Sequence, residues 1–376
     1  MAIPQVEPQY YDAQLAAKCD AVTRLFAGFD TPPLEIHDSP PSHYRQRCEF
    51  RLWHEDNDVF YAMFEVEDVA PSESDSGRKK KSTVRLDQYP VASEAINALM
   101  PKLREAFLAS DVLRRKLFQV EFLTTLSGES LVTLVYHRPL DVDWEQEARA
   151  LEQALGIMII GRSRKQRLVL TRDHVWERLH VNGKAFVYQQ VENSFTQPNA
   201  RVCEKMLGWA QDVTAGSQKR DLVELYCGNG NFTIALADNF RRVLATEISR
   251  TSVASAQINL QANDVDNAHV ARMSAEDFAL ALKGEKHGRR VAEMALEGYD
   301  FSTVLVDPPR AGLDNASCAQ ISGYERIVYI SCNPETLAQN LALLTRTHRI
   351  ERFALFDQFP FTDHCECGVL LIRHAE

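Results

Sequence analysis

A chain of 376 residues suits about two domains with a sizeable core, and 45% hydrophobic with 25% charged residues is the ordinary balance of a soluble globular protein. No apolar run approaches the ~20 residues of a membrane helix. The start MAIPQVEPQYYDAQ lacks the basic and apolar regions of a signal peptide, so a cytoplasmic protein is expected. The net charge of −10 speaks against nucleic acid, but its distribution does not: from Gly77 to Phe118 ten Lys/Arg stand against four Asp/Glu (SGRKKKS and VLRRKLF within it), and GRSRKQR forms a second basic island at 161–167.

In chain order, apolar Leu15, Val22, Leu25 and Phe26 predict a helix over 11–26, followed by a Pro-rich joint, TPPLEIHDSPPSH. CEFRLWH, DVFYAMFEV and the pair FLTTL–SGES–LVTLVYH read as strands, the pair as a hairpin. Helices are expected over 92–109 and 144–155, with short strands at KQRLVLTR and AFVYQQV. From Pro198 the rhythm becomes strand–helix alternation, the mark of a doubly wound α/β sheet. DLVEL, RVLATEI, HVARM, STVLVD, RIVYIS, RFALF and GVLLIRH supply seven strands, the last two close enough to be antiparallel. That is the class I methyltransferase architecture. The expected organisation is a helical extension over 1–43, an α+β RNA-binding domain over 44–190 and a methyltransferase domain over 191–376.

LVELYCGNGNF, 222–232, is a strand running through a glycine loop into a helix. Gly228 and Gly230 allow a tight turn and close backbone approach. A dinucleotide fingerprint wants a third Gly or Ala where Thr233 stands. Glu247, 19 residues after Gly228, ends the next strand, where an acid can accept from both ribose hydroxyls. The set fits S-adenosylmethionine better than a dinucleotide. STVLVDPPR puts Asp307 at the carboxyl end of the fourth strand, beside the switch point where ligands of such sheets sit. An Asp-Pro-Pro pattern also occurs in enzymes that methylate exocyclic amines, so Asp307 leaves the target atom open.

VYISCNPETL ends the fifth strand on Cys332, with Asn333 as N-cap and Pro334 opening a helix. A helix N-terminus favours the thiolate. A thiolate adding at C6 of a pyrimidine makes C5 enolate-like and able to take a methyl group, after which a base must remove the C5 proton. FPFTDHCECG offers Glu366 as that base, with Asp363 and His364 as neighbours able to orient or substitute. The eight cysteines show no paired C-x-x-C spacing, which speaks against a zinc or iron–sulfur site; no metal and no disulfides are expected.

SFTQPN, ELYCGNGNF, DPPR, SCNPETL and FPFTDHCECG, in that order, resemble the motif set of the RNA uracil-5-methyltransferase family, and SHYRQRCEFRLWH with the hairpin region is similar to its bacterial tRNA (uracil-5-)-methyltransferase branch. The resemblance covers almost the whole chain. It implies that Gln197, Tyr226, Asn231, Glu247 and Asp307 bind S-adenosylmethionine, that Gln197 and Asp307 are also candidates to touch the uracil edge, that Cys332 is the nucleophile and that Glu366 accepts the proton. The implied substrate is the T-loop uridine (position 54) of tRNA, converted to ribothymidine, with T-like loops of other small RNAs as further candidates. Ribosomal-RNA relatives generally carry a four-cysteine iron–sulfur motif and an N-terminal β-barrel; this chain has only Cys19 and Cys48 in its first two hundred residues and no room for the barrel before Tyr44. Arg45, Arg47, Arg51 and the basic islands are candidate phosphate contacts for the T arm, with aromatic side chains replacing stacking lost when the base is flipped. A ribosomal-RNA uracil-5-methyltransferase, an exocyclic-amine methyltransferase and a non-catalytic RNA-folding factor are the alternatives. No membrane association and no obligate protein partner are expected.

Overall fold

The computed structural model describes residues 4–67 and 80–375, so the island SGRKKKS falls largely outside the described residues. Two compact units form. One takes the residues up to Pro8 with Pro41–Val175, the other Gln9–Pro40 with Trp176–Glu376.

The first unit is built on a seven-stranded sheet in the order Lys80–Leu86, Asp58–Glu67, Arg47–Glu55, Leu117–Thr124, Ser130–Tyr136, Met158–Ser163, Gln166–Val169. All neighbours are antiparallel except Ser130–Tyr136 and Met158–Ser163, which are joined through the helix Val142–Leu155 and run parallel. Asp141 caps that helix by accepting from Trp144 N at 2.9 Å. It sets Trp144, fully buried, over Gly161, where a Cβ would meet the indole at 2.2 Å. Helix Glu94–Ala109 supplies Ile96, Leu99, Met100, Leu103 and Phe107 to the same core. Burial alternates along Arg47–Glu55, with Cys48, Phe50 and Leu52 inward and Glu49 and Trp53 exposed. Lys80–Leu86, Met158–Ser163 and the eight residues His174–Val181 are strands without a counterpart in the sequence reading.

The second unit carries a sheet in the order Glu35–His37, His348–Phe356, Glu366–Arg373, Arg326–Ser331, Phe301–Val306, Asp221–Leu225, Arg242–Glu247, Ala268–Arg272. The seven expected strands are there, doubly wound, with Glu366–Arg373 antiparallel to both neighbours. An eighth joins them: Glu35–His37 pairs parallel with His348–Phe356, Glu35 opposite Ala354. Prolines at 32, 33, 40 and 41 bracket this short edge strand, which is where a sheet tolerates them. Residues 9–40 therefore belong to this unit rather than forming an extension. Helix Tyr11–Leu25 sends Val22 into the core, and Phe26 just beyond it lies 4.8 Å, ring to ring, from Phe353.

The division also falls earlier than residue 190, near Val175. The hairpin His174–Val181/Lys184–Val191 is stitched to helix Arg250–Ala262: Gln189 N donates to Asn259 Oδ1 at 2.6 Å, Ser255 Oγ donates to Gln189 O, and Val187 N donates to Asn263 Oδ1. Backbone groups of Val187 and Gln189 are thus satisfied by side chains of that helix and its C-cap Asn263.

Beneath the glycine loop, Glu224 is buried in strand Asp221–Leu225 and accepts from Thr233 Oγ1. Burial pushes its carboxyl from 4.5 to about 8. The folded state thus holds this proton more tightly than the unfolded chain, and stability falls as pH rises from the unfolded value through the folded one. Glu224→Gln should gain stability over wild type by roughly 1–3 kcal/mol more at pH 8.5 than at pH 4.5, read from denaturant melts at the two pH values; an equal difference at both would show that Glu224 is ionised in the fold.

Candidate active site

Asp221–Leu225 and Phe301–Val306 are parallel neighbours, and the strand order changes direction between them, which creates the switch point; the segments leaving these two strands carry the motifs. Tyr226 follows the first strand with φ +65°, Gly228 with φ +55° and Gly230 with φ +83°. Such values favour glycine, and Gly230 opens helix Asn231–Leu236. Gly228 N donates to Glu247 Oε2 at 3.1 Å and Ser249 N to Oε1 at 2.7 Å. The carboxylate thereby ties the glycine loop to the next strand while each oxygen keeps acceptor capacity. Ile248, beside it, is 68% exposed.

Asp307 leaves Phe301–Val306 half-buried, its carboxyl pushed up to about 7 by desolvation. The Asp-Pro-Pro-Arg and Cys-Asn-Pro-Glu segments are joined, Asn333 Nδ2 and Thr336 Oγ1 both donating to Arg310 O. Asn333 also caps helix Pro334–Leu344, accepting from Glu335 N at 3.1 Å.

Cys332 and Glu366 come together through strand register. Arg326 opposes Ile372 and Ser331 opposes Cys367, so the next step of the same antiparallel register sets Cys332 against Glu366. Phe356 flanks Glu366 on its other side. Glu366 is 4% exposed, and its Oε2 has no hydrogen-bond partner. Burial first, then the charges of Asp307 and Cys365, hold its carboxyl well above the usual range. The Cys332 thiol is pushed up to about 11 by burial, then by Glu366 and Asp307, with Arg310 opposing. Sequence reasoning from the helix end favours a thiolate; two carboxylates from neighbouring strands and desolvation outweigh it.

The other candidates are placed less directly. Gln197 Oε1 accepts from Gln358 Nε2 at 3.1 Å. Tyr226 packs its ring against the core, its hydroxyl beside Ser317. Asn231 donates through Nδ2 to Cys203 Sγ at 3.2 Å. Asp363 is exposed, and His364 faces Arg310, so neither shares the burial of Glu366. Gln358 and Lys18 were not foreseen: Gln358 is fully buried with Oε1 unpartnered, and Lys18 ties the loop before Glu366. A lone Lys on the face that carries Val22 was the available signal for the second.

A cationic sulfonium suits a rim that presents Glu247, Asp307 and Glu366 beside a glycine loop. Among the described residues no group of three or more His, Cys, Asp or Glu is arranged to hold a metal ion, and no helix is long and apolar enough to cross a membrane.

Fold and site together define a class I, S-adenosylmethionine-dependent methyltransferase. The family model for tRNA (uracil-5-)-methyltransferase matches residues 10–374. A tRNA/tmRNA (uracil-C(5))-methyltransferase of Chromohalobacter salexigens is 71% identical over all of this chain and 99% of its own. One of the same description from Vibrio parahaemolyticus is 53% identical over the whole of both chains. The crystal structure of Pyrococcus abyssi tRNA (uracil-54, C5)-methyltransferase with S-adenosyl-L-homocysteine superposes with a TM-score of 0.69 at 22% identity, covering 96% of this chain and 83% of that one, a likeness of fold. The chain belongs to the tRNA (uracil-5-)-methyltransferase family, enzymes that methylate C5 of uracil in tRNA with S-adenosylmethionine as donor.

Because the thiolate is the reactive form, a thiol held near 11 is almost wholly protonated at neutral pH. Iodoacetamide labelling of Cys332, read by peptide mass spectrometry, should accelerate about tenfold per pH unit from pH 7 to 9. A plateau below pH 8 would mean the helix end prevails.

Proposed function

We propose that the chain converts the T-loop uridine of tRNA, position 54, to ribothymidine by covalent catalysis, with Cys332 as nucleophile and Glu366 as proton acceptor. The observation that supports this is the antiparallel register with Ser331 opposite Cys367, whose continuation by one residue would bring Cys332 to Glu366. S-adenosylmethionine, when bound, supplies the methyl group as an electrophilic carbon on a sulfonium. Glu247 is suited to the ribose, Asp307, Gln197, Tyr226 and Asn231 to the remaining cofactor contacts, and Asp307 and Gln197 also to the uracil edge. Cys332 loses its proton and bonds to C6, moving the C5=C6 pair toward O4; that pair then forms the bond from C5 to the methyl carbon, and the S–CH3 pair stays on the donor sulfur, which leaves as a neutral thioether. Glu366 removes the C5 hydrogen, that C–H pair restores C5=C6, and the C6–S pair returns to sulfur. One methyl is gained and one proton released.

The unit over Pro41–Val175 is suited to grip the T arm. Arg51 lies 3.7 Å over the Phe118 ring, which stacks on His137 at 3.9 Å, and exposed Trp53 meets Phe64 edge-on. Cation and stacked rings on one surface match single-stranded RNA. The relatives' names include tmRNA, and a T-like loop there is a second proposed substrate. The reaction is placed in the cytoplasm, with tRNA.

Incubated with S-adenosylmethionine and a T-arm stem–loop carrying 5-fluorouridine, the protein should give an RNA–protein band stable on a denaturing gel. Cys332→Ala should abolish it and lower turnover by about 10³-fold or more, whereas Glu366→Gln should accumulate the adduct with ordinary uridine. A band surviving Cys332→Ala would exclude the thiol mechanism. Arg51→Gln should weaken T-arm binding and reduce the log–log salt slope by about one; an unchanged slope would place the phosphate contacts elsewhere.

A further inference from the structure

Lys18 is 8% exposed, on a helix that begins more than three hundred residues before the catalytic loop in sequence. An ammonium has three donors, and all three go to one loop: Asp357 Oδ1 at 2.6 Å, Phe359 O at 2.8 Å and His364 O at 2.8 Å. The loop, 357–365, joins the rim end of His348–Phe356 to Glu366. Lys18 thus binds it at both ends. Gln14, one turn earlier, completes the clasp by donating to Asp357 Oδ2 at 2.8 Å and accepting from Phe361 N at 3.1 Å. Phe361 holds φ +58°, a conformation that costs a non-glycine residue free energy, with its ring edge-on to Tyr11 at 6.2 Å. Asp357 N reaches His37 O of the N-terminal edge strand.

Burying this pair is costly. Asp357 is 0% exposed, and the attraction in a buried ion pair often fails to repay desolvation. An apolar pair would close a core at least as well. What the ion pair adds is direction: it fixes one loop conformation through three acceptors in set places. Glu366 needs that, because its own Oε2 has no partner to hold it and its position comes from the backbone that carries it.

We infer that Lys18 is a positioning residue for the second half of the reaction, holding the 357–365 loop so that Glu366 stands at C5 of the adduct. This rests on the roles proposed for Cys332 and Glu366. The step that depends on Lys18 is transfer of the C5 proton to the Glu366 carboxylate, in which the C–H pair forms C5=C6 and the C6–S pair leaves on Sγ. Thiol addition and methyl transfer precede it and use groups that Lys18 does not touch.

The full-length Lys18→Met protein, which keeps the stem and loses the ammonium, tests this with ordinary uridine and 5-fluorouridine T arms. The expected result is turnover reduced about tenfold or more with denaturation-stable adduct accumulating on ordinary uridine. S-adenosylmethionine affinity, single-turnover methyl incorporation and the fluorouridine trap should stay within about threefold of wild type. Unchanged turnover, or turnover lost without adduct, would overturn the inference, as would S-adenosylmethionine binding lost in proportion. Should Lys18→Met not fold, Gln14→Leu must show the same accumulation in milder form; failure of both to fold, or no accumulation in Gln14→Leu, would make the clasp structural only. Absence of a fluorouridine adduct in the wild type would remove the underlying thiol mechanism, and the inference with it.

Discussion

The site depends on one reversal of direction. In a parallel sheet every strand delivers its last residue to the ligand rim and its first to the opposite edge. Glu366–Arg373 runs against both neighbours, so its first residue arrives at the rim, level with the residue that follows Arg326–Ser331. Side chains alternate with a period of two, and a slip of one residue would turn Glu366 to the other face. Gly368 guards against the slip: a Cβ there would meet Phe356 at 2.9 Å and Trp209 at 3.0 Å. A residue with a side chain could not take its place without moving two buried rings.

That placement has an electrostatic cost which sets the character of the rim. Asp307 and Glu366 share a desolvated space, and burial with mutual repulsion raises the proton affinity of Glu366. A carboxyl group that binds a proton tightly is a better base once ionised. The same field holds the Cys332 thiol protonated. Positive charge at the rim would lower the proton affinity of each group it faces.

Much of this was legible in the sequence because it is local. The strand–helix alternation after Pro198, the glycine loop before helix Asn231–Leu236, the acid ending Arg242–Glu247 and the cap after Cys332 each follow from neighbours within a few residues. What escaped is non-local or carries no period. Glu35–His37 is too short for alternation to show, and its prolines read as a joint. The hairpin at 174–191 looked like part of the preceding domain because its partners Asn259 and Asn263 lie some seventy residues on. The upward shift of the Cys332 thiol could not be read from its own helix, because it comes first from burial and then from Glu366 and Asp307, which reach it from other strands. Lys18 and Asp357 are separated by 339 residues, and no spacing rule joins them.

The same separation orders assembly of the chain. Most of the first unit, Pro41–Val175, is one continuous segment, joined by the residues up to Pro8. The catalytic unit is discontinuous: its helix Tyr11–Leu25 and edge strand Glu35–His37 come first, and the strands they complete come last. Until the segment 357–366 exists, Lys18 has no acceptors and Glu35–His37 has no strand to pair. A chain lacking either terminus therefore lacks the clasp as well as part of the sheet. Strand register alone brings Ser331 opposite Cys367, whereas the loop before Glu366 is held by Lys18 and Gln14 from the other end of the chain.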